Sequence, residues 1–280
     1  LAHLLQATNR LAEAEPLMHR ALAIDEHSYG TEHSRIAIDL NNLAQVLQAT
    51  NRLAEAEPLM ARVVTIFEKV YGENHPDVAI ALNNLAQLLQ ATNRLAEAEP
   101  LMRRALALDE QSYGTEHPNV ARDFNNLALL LQATNRLAEA EPLMRRALDI
   151  WEQSLGAAHT QVATGLNNLA QLLQATNRLE EAEPLMRRTL AIDEQSYGPE
   201  HPEVAIDALN LAVLLRDTDR LSEAVSLMYR AISIYHLFSK QNGYEHPHWN
   251  KAVGHYRCMM TASGRSETDV DAALQDLIGE

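Results

Sequence analysis

Residues Ala91–Met102 read ATNRLAEAEPLM, and the same string stands at Ala7, Ala49 and Ala133. At Ala175 it returns with Glu180 in place of Ala, and at Asp217 it has become DTDRLSEAVSLM. The spacing is 42 residues throughout. An Asn pair keeps the same interval at Asn41-Asn42, Asn83-Asn84, Asn125-Asn126 and Asn167-Asn168, and in the next copy Asn210 remains after Leu209. A fixed period of this size is the signature of a repeat architecture in which each unit is one supersecondary element.

Working outward from the string, one unit runs from His75 to Glu116. His75-Pro76 reads as a helix start, with Pro at the first helical position. Val78, Leu82, Leu85, Ala86 and Leu89 recur at three- and four-residue steps, the apolar face of a first helix, A. Thr92-Asn93 interrupts the pattern, and Asn93 is the expected cap of the next helix. Helix B is expected from about Arg94 to Ser112, burying Leu95, Ala98, Met102, Ala105, Leu106 and Leu108. Pro100 lacks an N–H and should weaken or bend its first turns. Gly114 suits a left-handed terminal residue. A lone hairpin cannot bury both faces of its helices, so stability must come from contacts between neighbours in one array without an interior linker.

Composition agrees with this reading. Hydrophobic residues make up 46% of the 280 residues and aromatic ones 5%, a mix rich in Ala and Leu that favours close-packed helices. The net charge is −15, which opposes binding to nucleic acid or to anionic lipid. Only Lys69, Lys240 and Lys251 are lysines, so the positive charge is nearly all Arg, expected to fork onto the many Glu. Cys258 is the single cysteine, which excludes an intrachain disulfide and fits a cytoplasmic location. No apolar run is long enough to span a membrane.

The pattern Leu82-x-x-Leu85-Ala86-x-x-Leu89, then Ala98-x-x-x-Met102-x-x-Ala105, resembles the tetratricopeptide repeat (TPR). The longer period, with LNNLA at Leu82–Ala86, EAEPL at Glu97–Leu101, RAL at Arg104–Leu106 and the His117-Pro118 opening, resembles the 42-residue repeats of kinesin light chain and nephrocystin, in a bacterial type. The resemblance implies an all-α fold, a right-handed α-α superhelix (TPR solenoid) of about six to seven helical hairpins. The array is expected over residues 1–242, with divergent capping helices over 243–280. Leu1 aligns with Leu43 and Leu85 in mid-helix, so a truncated first hairpin and a longer parent chain are expected. In the tail, His246-Pro247 reads as a helix start, helical residues follow from Trp249 to Met260, and Ser266–Ile278 reads as a final helix with Val270, Ala273, Leu274 and Leu277 on one face.

The resemblance also implies a concave face lined mainly by helix A. Its positions are Asn41, Asn42, Gln45 and Gln48; Ile80, Asn83, Asn84, Gln87 and Gln90; Arg122, Asn125, Asn126 and Gln132; Thr164, Asn167, Asn168, Gln171 and Gln174; and Asn210 and Arg216. Amides both donate and accept hydrogen bonds, so such a ladder matches the main chain of an extended peptide. The competing reading is that these Asn residues bond the neighbouring hairpin and fix the stacking. Arg122 and Arg216 are the clear basic groove candidates, too few to favour an acidic ligand.

His33, His75, His117, His159 and His201 share one phase, each in a different hairpin. Helices pack ~8–10 Å apart, too far for shared metal ligands at ~2 Å, so a helix-start role is expected rather than a metal site. The tail histidines His236, His246, His248 and His255 have no ligand spacing. Arg103, Arg145 and Arg187 each follow a Glu by four residues, a paired solvent face. There is no phosphate loop, dinucleotide turn or nucleophile elbow. The expected function is non-enzymatic and cofactor-free: a scaffold for a protein or peptide partner, prone to self-association. The alternative is the C-terminal sensor or regulatory arm of a larger signalling NTPase or effector.

Overall fold

The computed structural model describes residues 10–279, and the truncated helix read at Leu1 lies outside them. The described residues form helices only. The chain divides into two compact units, residues 1–150 and 151–280. In the first, α1 (Leu11–Tyr29), α2 (Ser34–Ala49), α3 (Leu53–Tyr71), α4 (Pro76–Ala91), α5 (Leu95–Tyr113) and α6 (Pro118–Ala133) pack each on the next. The division falls within α7 (Leu137–Leu155), so no linker separates the units. The second holds α8 (Thr160–Ala175), α9 (Leu179–Tyr197), α10 (Pro202–Asp217), α11 (Leu221–Asn242), α12 (Trp249–Ala262) and α13 (Glu267–Gly279), again packed in sequence.

Each A helix begins as its sequence predicts. His75 has extended backbone (φ −80, ψ 143), and its Nδ1 accepts from the Asp77 N–H at 3.2 Å. His33, His117, His159 and His201 do the same for the residue two places on. The Tyr71 ring ending α3 stacks on His75 at 4.5 Å, which fixes the imidazole over the turn. The histidine phase is therefore a capping phase, with Nδ1 accepting from a backbone donor.

The turn from A to B differs from expectation. Asn93 does not cap helix B. Its φ is +60, and it closes a Schellman-type ending in which Arg94 N donates to Leu89 O at 2.8 Å and Asn93 N to Gln90 O at 2.9 Å. Asn tolerates this left-handed conformation better than most residues do. The first-turn position Arg94 makes no side-chain cap. Instead its guanidinium forks onto Glu97 at 2.7 and 2.6 Å and reaches back to Glu57 of the preceding B helix at 2.6 Å. Arg52 and Arg220 repeat the arrangement. The forks within one helix are exposed and those to the preceding B helix half-buried, so solvent screens them and each adds little. Helix α5 continues unbroken through Pro100.

Gly114 also departs from its expectation. Its φ is positive (+83) but ψ is 162, which is the mirror-extended region rather than the left-handed helix. That region is essentially restricted to Gly. A Cβ built there meets nothing within 4 Å, so the constraint is conformational and not steric. Gly114→Ala is expected to lower stability by about 1–3 kcal/mol, read as a shift in denaturation midpoint, with unchanged helix content in the folded state.

The core follows the two apolar stripes. Ile36 and Leu40 of α2, Val63 and Ile66 of α3, Val78 and Leu82 of α4, and Ala105 and Leu108 of α5 form one buried cluster. Ala14, Met18, Leu43, Ala56, Met60 and Leu88 form another. Each cluster draws on more than one hairpin, so no hairpin has a core of its own. Of the expected B stripe, Ala98, Met102, Ala105 and Leu108 are buried, while Leu95 and Leu106 are half-buried.

In the tail, α12 opens at Trp249, two residues after Pro247, rather than at the His246-Pro247 pair. It packs on α11 and α10. Ser266 caps α13 reciprocally: Asp269 N donates to its Oγ at 3.2 Å, and Ser266 N donates to Asp269 Oδ2 at 3.3 Å. Val270 and Leu274 are buried as expected, and Ala273 is half-buried; the Leu277 side chain lies outside the described residues. Among the described residues no helix is long and apolar enough to cross a membrane.

Candidate functional site

The A helices carry the amide positions, and burial sorts them. Gln45, Gln87 and Gln171 are exposed. Asn41, Asn42, Gln48, Asn84, Gln90, Asn126, Gln132, Asn167, Asn168, Gln174 and Asn210 are half-buried. Asn83 and Asn125 are 3% and 6% exposed, within the helix packing and not on the open face. Asn83 Nδ2 donates to Asp123 Oδ1 of the next A helix at 2.7 Å. Asn84 Nδ2 donates to Asn41 Oδ1 at 3.0 Å, and Asn210 Nδ2 to Asn167 Oδ1 at 3.5 Å. Amides therefore bridge successive A helices while part of the ladder still meets solvent.

The two basic candidates are both neutralised. Arg122 Nη2 lies 3.0 Å from Asp123 Oδ1 and 3.2 Å from Asp109 Oδ2. Arg216 pairs with Asp217 at 2.7 Å. On the B helices, Arg103 and Arg187 bond Glu99 and Glu183 four residues earlier at 2.7 and 2.9 Å. Arg104 and Arg188 bond Glu68 and Glu152 of the preceding B helix at 2.6 and 2.5 Å.

A second periodicity lies beneath the first. Near the end of each B helix one position reads Asp25, Phe67, Asp109, Trp151, Asp193, Tyr235. The facing position of the next A helix reads Asp39, Ala81, Asp123, Gly165, Asp207 and, counted from His246, Ala252. Acid stands with acid and aromatic with small residue, in strict alternation. Two neighbouring hairpins thus make one larger repeat.

Three of these six acids are buried. Asp109 and Asp123 are 0% exposed and Asp207 is 6%. Asp109 and Asp123 stand close enough for each to act on the other's titration, as do Asp193 and Asp207. Asp109 Oδ1, Asp123 Oδ2, Asp193 Oδ1 and Asp207 Oδ2 are buried with no protein donor in reach. Two adjoining buried carboxylates resist a double charge, so each pair retains a proton below the raised pKa of Asp123 or Asp207. Burial, then the Asp193 charge and hydrogen bond, then Glu203, push Asp207 up to about 8. Asp123 rises to about 7, chiefly by burial, with Arg122 opposing. Ile206 stands where Arg122 stands, so the Asp193–Asp207 pair lacks that cation.

Tandem helical hairpins joined by shared cores, with capped A helices and small Ala positions where helices cross, define a helical-repeat protein. The tetratricopeptide repeat family profile matches residues 1–69, 35–111, 89–153, 124–195 and 161–235. The chain belongs to the tetratricopeptide repeat family. No curated protein matches it. Among solved structures it is similar to BtubC (BKLC) from P. vanneervenii, with 23% identity and TM-score 0.68 over 86% of this chain and 93% of that one. A putative kinesin light chain of Podospora anserina with nearly identical TPR-like repeats gives 25% identity and TM-score 0.62 over 75% and 98%. The apo form of RapI gives 15% identity and TM-score 0.64 over 94% of each chain.

Proposed function

We propose that the chain is a non-enzymatic scaffold that holds an extended peptide or a protein segment along the open face of its A helices. The observation that carries this reading is the solvent-facing part of the amide ladder. Gln45, Gln87 and Gln171 are exposed at one repeat position, and the half-buried Asn42, Asn84, Asn126, Asn168 and Asn210 hold another without interruption. Such groups match the alternating donors and acceptors of a peptide main chain, and Arg122 and Arg216 are each paired with Asp. Membership of a family of interaction repeats supports the same reading.

Replacing Gln45, Gln87 and Gln171 with Ala tests it. These exposed changes should alter stability by less than about 0.5 kcal/mol each. Capture of partners from a lysate is expected to fall severalfold against the unaltered chain. Unchanged capture, with helicity preserved, contradicts an amide grip.

A further inference from the structure

The alternation leaves a hollow where Ala81 replaces an acid. Its floor is Val63, Phe67 and Ala81, and its rim is Ile38, Ile80 and Tyr71. The volume is about 210 Å³. An apolar cavity of about 150 Å³ accommodates benzene, so a Leu, Met or Phe side chain fits here. The rim is apolar yet open: Ile38 is 54% exposed, Tyr71 41% and Ile80 39%. The matching position at Tyr235 and Ala252 is closed. There the Tyr235 ring is fully buried and only about 30 Å³ remains beside Ile206 and Lys251.

The polar lining is equally specific. Asn84 Nδ2 and Asn41 Oδ1 bond each other, which leaves Asn84 Oδ1 to accept and Asn41 Nδ2 to donate. Asp77 is the one charged residue of the lining. His75 Nδ1 lies 3.7 Å away but is occupied by the Asp77 N–H, and among the described residues no Lys or Arg forms a salt bridge with Asp77. Local charge and the net charge of −15 act together.

We propose that this hollow is the anchoring subsite for an extended peptide bearing one bulky apolar side chain next to a lysine or arginine. The apolar group enters between Ile38 and Ile80, the flanking main chain meets the Asn41 and Asn84 amides, and the cation meets Asp77. The inference rests on the peptide-holding reading above and adds the chemistry of the occupant.

An unbiased display library of short peptides, selected in parallel on the unaltered chain, Ile38→Asp and Asp77→Lys, tests both levels. Both changes lie at exposed or half-exposed positions, and circular dichroism checks that the folds match. The unaltered chain is expected to enrich peptides with a bulky apolar residue beside Lys or Arg. Ile38→Asp should lose them, and Asp77→Lys should favour Glu or Asp in the flank. In a synthesised winner, exchanging the apolar residue for Ala should weaken binding roughly tenfold or more. Enrichment without an apolar residue, with an acidic flank on the unaltered chain, or equally on Ile38→Asp overturns this inference and leaves the scaffold reading standing. No enrichment on any of the three proteins overturns both.

Discussion

Leu82→Ala lowers the unfolding free energy by about 2–5 kcal/mol, the range for truncating a fully buried leucine. Leu82 is 1% exposed and sits in the cluster shared by α2, α3, α4 and α5. Its loss therefore empties a contact between two hairpins rather than within one. Ile80, two residues away on the same helix, is 39% exposed, and Ile80→Ala should cost far less. Denaturant titrations followed by far-UV circular dichroism separate the two. Equal effects would contradict the burial assigned to helix α4. Because stability here is built from neighbouring interfaces, the Leu82 variant should also speed proteolysis in α2–α5 more than in the tail.

The second large effect is a fall in stability as pH rises from mildly acidic to about 8. In the unfolded chain Asp207 titrates near ~3.9, whereas in the folded chain it is pushed up to about 8. Between these values the folded state holds one more proton than the unfolded state. Stability therefore falls as pH rises through this window, by as much as ~1.4 kcal/mol per pH unit for one proton. Asp109 and Asp123, raised by the same burial, add in the same direction. The opposite sense holds at low pH, where Glu97, Glu139 and Glu223 are held below their ordinary range by hydrogen bonds from Arg. Those pairs lose their contribution on acidification.

Asp207→Asn isolates the pair. An amide keeps a neutral donor facing Asp193 at every pH, so the variant should match the unaltered chain only near pH ~4 and exceed it increasingly as pH rises toward about 8, with a constant difference above. Asp193, Glu203 and Tyr235 face this position and His201 lies beside the pair; all four are common to both proteins, so the difference between the profiles is attributable to the lost proton. Parallel stability profiles for the two proteins from about pH 5 to about pH 9 would contradict the retained proton.

Much of the fold was readable before any helix was placed. The string at Ala91–Met102 and its copies specify the hairpins, His75-Pro76 the helix starts, and Glu99/Arg103 the paired outer face. Local rules govern each of these. Asn93 was misread because its propensity to cap and its tolerance of positive φ are both real, and only the two-residue reversal decides between them. Asp109 carries no mark in a single repeat, since a period of 42 averages acid and aromatic positions together. Reading alternate copies side by side, with Asp109 and Asp193 against Phe67 and Trp151, would have exposed the pairs. Asn83 and Asn125 were placed with the open amides because their phase is shared, and it is Asp123, in the next hairpin, that draws Asn83 inward. The hollow at Ala81 was beyond reach of sequence: a vacancy exists only once α2, α3 and α4 are together.

The central claim is that partners lie along the A helices and not on the B helices. A photo-crosslinking amino acid placed at Gln87, exposed on α4, or separately at Arg103, exposed on α5, tests it directly. Irradiation with a captured partner or a selected peptide should give an adduct from residue 87 and little or none from residue 103. Adducts from residue 103 alone would contradict the account.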